Sequence, residues 1–157
     1  MRALVIAVVA LIASCTPPAS EAPSTATTGN VSTYARACAA DNDQCTALAA
    51  LEPVVGQSIG QPISLNVTTF NIDGDSAWVV AQPRTPEGGE IDWSQTNLAT
   101  QATEGVLDGG GTTYALLKRE NGQWRVLEHV IGPTDVAWLE WPSRHDVSPA
   151  LLGLPSN

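Results

Sequence analysis

Positive charge is scarce in this chain of 157 residues. Lys and Arg number 7 against 16 Asp and Glu, for a formal net charge of -9. They are Arg2, Arg36, Arg84, Lys118, Arg119, Arg125 and Arg144, and only Lys118 and Arg119 are adjacent. Without a basic footprint for phosphates, nucleic acid is excluded as a partner. Cys numbers 3, with no second pair at finger spacing, and neither His129 nor His145 lies near Cys38 or Cys45 in sequence, so no metal and no cofactor is expected. Asp41-Asn42-Asp43 resembles the start of a calcium loop but lacks its glycine and its distal glutamate. No apolar run reaches the roughly 20 residues of a bilayer-spanning helix. There is no G-x-S-x-G elbow and no H-E-x-x-H, so no catalytic residue is assigned. The length suits one domain of ordinary size.

What is present starts with an export signal. Met1-Arg2 supplies positive charge, Ala3 to Ile12 is an uninterrupted apolar run, and small residues Ala13 and Ser14 precede Cys15. That order is the pattern of a secretory signal. Ile12-Ala13-Ser14-Cys15 resembles the lipobox of bacterial lipoproteins, in which the cysteine becomes the lipidated first residue. The resemblance implies a lipoprotein signal peptide over 1–14, lipidation of Cys15, and a membrane partner reached through acyl chains. In those proteins Asp after the cysteine favours inner-membrane retention; Thr16 stands here, so a periplasm-facing site on the outer membrane is expected. An ordinary cleaved signal with a coincidental cysteine stays open. Residues 15–30 are rich in Pro, Ser, Thr and Ala with no bulky apolar side chain past the cysteine, the composition of a flexible tether. Residues 31–157 are expected to form a single globular α+β domain. Its acidity opposes direct binding to anionic lipid, leaving attachment to the anchor.

With Cys15 lipidated, Cys38 and Cys45 remain, an even pair in an oxidising compartment, and a disulfide between them is expected. One continuous helix would hold their Cα atoms about 10.5 Å apart. A disulfide wants ~4.4–6.8 Å, so the chain must break between them, and Asp41-Asn42-Asp43 is a suitable breaker. Two free thiols on a helix are the alternative.

The folded part reads as helices followed by sheet. Ser32 or Thr33 can cap a first short helix, Thr46 to Leu51 continues the pattern, and Pro53 fits the first turn of a further segment ending near Gly60. Ile63, Leu65 and Val67 alternate with polar residues as in a half-buried strand. At Thr68-Thr69 the apolar phase shifts to Phe70 and Ile72, which predicts a bulge or a twist that turns the strand over. Asp73-Gly74-Asp75 is a turn and Ala77 to Ala81 the returning strand. Tyr114–Arg119 and Trp124–Ile131 flank Asn121-Gly122, the strongest short hairpin signal, since both residues tolerate the positive φ of a type I′ turn. Trp124, Val126 and Val130 are expected on one face and Arg125, Leu127, His129 and Ile131 on the other. Four antiparallel strands with N-terminal helices on one face make an α+β domain.

Between the hairpins, 83–111 is a long connection that must be functional or conceal an element. Ile91-Asp92-Trp93 is expected to dock inward, Trp93 to Leu98 to form a helical turn, and Gly109-Gly110-Gly111 to be a hinge or a tight turn. After the sheet, Thr134 as N-cap and Pro142 as terminator predict a short helix over 135–141 carrying Trp138 and Trp141 on one side. Trp93, His129, Trp138 and Trp141 are the candidate binding residues, with core packing of the tryptophans as the alternative. Glu128 and His129 are strand neighbours and should point to opposite faces. His145, near the end of the chain, is expected to be solvated.

The stretches ISLNVTTFNIDGDSAWVVAQP and LLKRENGQWRVLEHVIGPTDVAWLEWP resemble a family of small exported proteobacterial proteins without an assigned activity, over roughly residues 46 to 142. The helix-then-sheet order is similar to cystatin-like or nuclear-transport-factor-like folds, which implies an architecture and no chemistry. The functional expectation is a non-catalytic binding or accessory module on the envelope with an envelope protein as partner. Its alternatives are an inhibitor of a basic envelope enzyme, a purely structural domain, and a small enzyme whose site carries no familiar motif.

Overall fold

A computed structural model describes Ala39 and residues 41–155. The signal peptide, Cys15, the tether, Cys38 and the helix capped by Ser32 or Thr33 lie outside the described residues. Among the described residues, no helix is long and apolar enough to cross a membrane.

The first element, α1 (Asp43–Ile59), is set by local chemistry. Asn42 is its N-cap: the side-chain oxygen accepts from the Cys45 N–H at 2.9 Å, and Asp43 follows at the positive end of the helix. The chain is therefore non-helical at Asn42, within the expected breaker. Cys45 is disulfide-bonded. Ala47, Leu51, Val55 and Ile59 recur every fourth residue and are fully buried, forming the stripe that docks α1 on the sheet. Pro53 does not start a separate segment; α1 runs through it. The ring lies on the exposed side, where water can serve the carbonyl deprived of its donor, and the docked stripe outweighs the local cost.

The sheet is an antiparallel meander in the order β1-β2-β3-β4: β1 (Ser64–Asp73), β2 (Ser76–Arg84), β3 (Thr113–Glu120) and β4 (Gln123–Ile131). A helix packed on a four-stranded antiparallel sheet is an α+β arrangement, as the residue pattern predicts. Asn121 (φ 52) and Gly122 (φ 77) make the β3–β4 turn. The phase shift in β1 is a bulge at Thr68, between the pairs Val67↔Ala81 and Thr69↔Val80. It does not turn the strand over: the extra residue restores Phe70 and Ile72 to the face that holds Leu65 and Val67. The Thr68 hydroxyl donates to the Val80 carbonyl at 3.1 Å, linking the bulge to β2.

A second bulge, opposite Leu116 and Leu117, falls at Leu127 and corrects the alternation expected for β4. Trp124, Val126, His129 and Ile131 share the α1 face; Leu127 and Val130 pack on the other. The two faces bury separate clusters. Toward α1 the core is mainly aliphatic, centred on Leu51, Val55, Val79 and Leu117. The opposite face holds Trp78, Leu116, Trp141, Leu151 and Leu152, covered by the chain after β4.

That covering chain differs from expectation. Residues 134–140 form turns, and the helix is α3 (Trp141–His145). Pro142 sits in its first turn, where the missing N–H costs nothing, so proline starts this helix instead of ending it. A 3-10 turn, Pro149–Leu152, continues over β1 and β2, where the Asn71 side-chain amide donates to the Leu151 carbonyl at 2.9 Å. The long connection conceals α2 (Ala99–Glu104), closed by Gly105, and Trp93–Gln95 is a 3-10 turn as expected.

Candidate functional site

The four candidate binding residues do not form one site. Trp93 and His129 lie with the α1-side cluster or beside it; Trp138 and Trp141 belong to the opposite face. Ile91 is buried and Trp93 packs against the core beneath the long connection. Gly111 (φ 81) makes that seat: a Cβ there would stand 2.2 Å from the Trp93 ring. On the other face Trp138 stacks on Tyr114 (centroids 4.0 Å apart, 17° between planes), and Trp78 meets Trp141 edge-on at 5.9 Å. Trp141 is 4% exposed, which assigns it to the interior. Trp138 is half-buried, with one ring face taken by Tyr114.

Three polar constellations arise that chain order conceals. The first joins α1 to β4. Ser58 Oγ lies 3.0 Å from His129 Nε2 and also donates to the Val54 carbonyl at 3.2 Å. Next to it, the Asn97 N–H donates to the Ile59 carbonyl at 2.8 Å, so the long connection caps the end of α1. Burial pushes the His129 pKa below its ordinary value, outweighing the nearby Glu128 carboxylate, which acts in the opposite direction. With its proton on the Val54 carbonyl, Ser58 accepts from His129 Nε2–H; with that proton turned to Nε2, neutral His129 beside the hydroxyl is half of a nucleophile–base arrangement. The other half is missing among the described residues: no carboxylate hydrogen-bonds His129, and the carbonyl end of α1 opposes a developing oxyanion.

The second constellation fastens the chain after β4. Glu128, on the opposite face from His129 as strand alternation requires, accepts from Arg144 Nη1 at 2.5 Å and pairs with His145 Nε2 at 3.0 Å. Burial alone would raise the Glu128 pKa, but its hydrogen bonds to His145 and Arg144 and their charges together lower it. His145 is therefore a half-buried partner of Glu128 and not a solvated tail residue. A third polar group clamps the other end of α1: Arg119 pairs bidentately with Asp43 (2.7 and 3.1 Å) and stacks 4.5 Å over Trp124.

Gly109, Gly110 and Gly111 all have positive φ and form a tight turn, one of the two expected forms. Among the described residues no group of three or more His, Cys, Asp or Glu is placed to hold a metal. The Ser58–His129 and Glu128–His145 pairs join residues 71 and 17 apart in sequence. Only the helix stripe, combined with the β4 bulge, could have placed Ser58 opposite His129. No protein-family model, curated protein or solved structure matches the chain.

Proposed function

We propose that this chain is a membrane-anchored bacterial envelope lipoprotein acting as a non-catalytic binding or accessory module. The lipobox-like Ile12 to Cys15 and the tether after it support the anchor; the acidic composition supports attachment through lipid and not through the protein surface. The observation that carries the binding role is that both sheet faces are filled by packed clusters, which leaves the loops and ends of the sheet to meet a partner. Cys15→Ser should abolish palmitate incorporation and release the protein from sedimented membranes. Retrieval of a tagged chain from envelope extract should recover a partner that survives this substitution. Continued sedimentation of the Cys15→Ser chain overturns the anchor, and retrieval of no partner at any salt overturns the module.

Ser58 and His129 at 3.0 Å favour a second reading, a small hydrolase. It requires labelling of Ser58 by a fluorophosphonate, lost in His129→Ala. The binding reading predicts no labelling in the native chain.

A further inference from the structure

We infer that the turn from Gly132 to Glu140, with the 105–110 segment docked at its base, is the surface that holds a basic protein partner. This rests on the binding-module reading and names its surface and the chemistry it recognises.

The geometry is that of a small presented knob. Leu139 is 63% exposed and Val136 49%, the two most exposed large apolar side chains among the described residues. The Leu139 N–H donates to the Val136 carbonyl at 3.1 Å, so both stand on one closed turn. Between them Trp138 points inward, stacked on Tyr114 and 5.7 Å from Trp78, and its carbonyl accepts from Trp141 N–H at 3.1 Å. An aromatic root thus fixes the turn before any partner arrives, which lowers the ordering cost of binding. At the base, the Asp108 N–H donates to the Gly132 carbonyl at 2.9 Å and Leu107 abuts Gly132. That contact brings a third exposed apolar residue, Val106 (47%), onto the neighbouring segment.

Charge selects the occupant. Residues 85–117 contain five carboxylates and no Lys or Arg; residues 126–144 contain Glu128, Asp135 and Glu140 against the single cation Arg144, which Glu128 and Glu140 share. Four of the five cations among the described residues are engaged within the chain: Arg84 with Glu90, Arg119 with Asp43, Arg125 with Glu120 and Arg144 with Glu128. Asp135 and Glu140 flank the apolar pair; the Glu140 side chain is 82% exposed and lies 3.9 Å from Arg144, so the apolar centre has a rim of net negative charge with one cation at its edge. An anionic lipid surface and a second copy of this acidic chain are both repelled by that rim. A protein with a positive face around an apolar recess is attracted and steered to it.

The test places p-benzoylphenylalanine at Val136, Leu139 and, as a control from the other exposed apolar position, Ile72, in the full chain in its own envelope. Irradiation should join positions 136 and 139 to one protein of basic isoelectric point and leave position 72 unreacted. That protein, purified, should bind the V136S/L139S chain roughly 10- to 100-fold more weakly than the native chain, in line with losses at interface anchors. Its affinity should fall about tenfold or more from 50 to 500 mM salt, as screening requires. An unchanged melting temperature for V136S/L139S shows that the loss is not unfolding; a lowered one transfers the reading to D135N/E140Q, which must show the weakened binding instead. Adducts with lipid, with a second copy or with an acidic protein, or affinity indifferent to both variants, overturn the proposal. An adduct from position 72 alone overturns this surface and keeps the binding module; no adduct from any position removes both.

Discussion

The two faces of one sheet are covered by opposite means. Toward α1 the cover is regular: a 17-residue helix lays a four-residue aliphatic repeat over Val79, Ala115 and Leu117. On the other face the cover is a chain with little periodicity, from Gly132 to Leu154, that relies on large aromatic rings and on Arg144 and His145 holding Glu128. A helix can pack by repeated small gains of about 1.5–3 kcal/mol per buried aliphatic side chain. An irregular segment lacks that repeat and depends on a few large contacts, so its stability is concentrated in fewer residues. The irregular side also carries the two most exposed large apolar side chains among the described residues, Leu139 and Val136; on the helix-covered side Ile72 is exposed at the end of β1.

Substitutions can break this contrast in order of effect. Trp78→Ala removes the ring that meets Tyr114, Trp138 and Trp141 at once and should cost about 3–5 kcal/mol in denaturant unfolding. Leu51→Ala, at the centre of the helix stripe, should cost about 2–4 kcal/mol, because neighbouring aliphatic side chains share the load. If Leu51→Ala proves the more damaging, the concentration of stability on the aromatic face is refuted. Arg119→Ala breaks a bidentate pair and a ring contact, both partly exposed, and should cost about 1–2 kcal/mol. Arg144→Ala, whose side chain is 52% exposed, should cost less than about 1 kcal/mol.

Acid should act on the faces at different pH. His129, on the α1 face, has its pKa lowered, so the unfolded chain takes up that proton first. Its contribution is complete above about pH 6.5 and declines as the pH falls from there toward the folded value. Glu128, on the other face, also has a lowered pKa. Its contribution is present above the ordinary glutamate range and is lost as the pH falls through the folded value. Stability measured from pH 8 to 3 should therefore decline in two stages. His129→Gln should remove the stage near neutrality and Glu128→Gln should flatten the acid stage; one stage insensitive to both substitutions would contradict the assignment.

Legibility followed the same division. The strands, the Asn121-Gly122 turn and the inward docking of Ile91 and Trp93 were readable because period-2 alternation and positive-φ residues act locally. A break at Thr68 was readable too, but whether it flipped the strand depended on what the face packs against. The Leu127 bulge was hidden because Val126, Leu127, Val130 and Ile131 are all apolar, so either phase looks buried. Proline is ambiguous at two positions: at Pro53 tertiary packing overrides the local penalty, and at Pro142 the same missing donor suits a helix start as well as a stop. Ser58, Arg144 and His145 gained their partners only through long-range packing, which periodicity does not encode.

The tryptophans pack within the fold, and the turn carrying Val136 and Leu139 is the surface proposed for the partner. The most direct measurement is the affinity of the cross-linked partner for the Leu139→Ser chain, taken with its melting temperature. The melting temperature should stay within a degree or two of the native chain, since exposed substitutions shift stability by only about 0.5 kcal/mol, and binding should be at least tenfold weaker. Native affinity in a Leu139→Ser chain of native stability would contradict it.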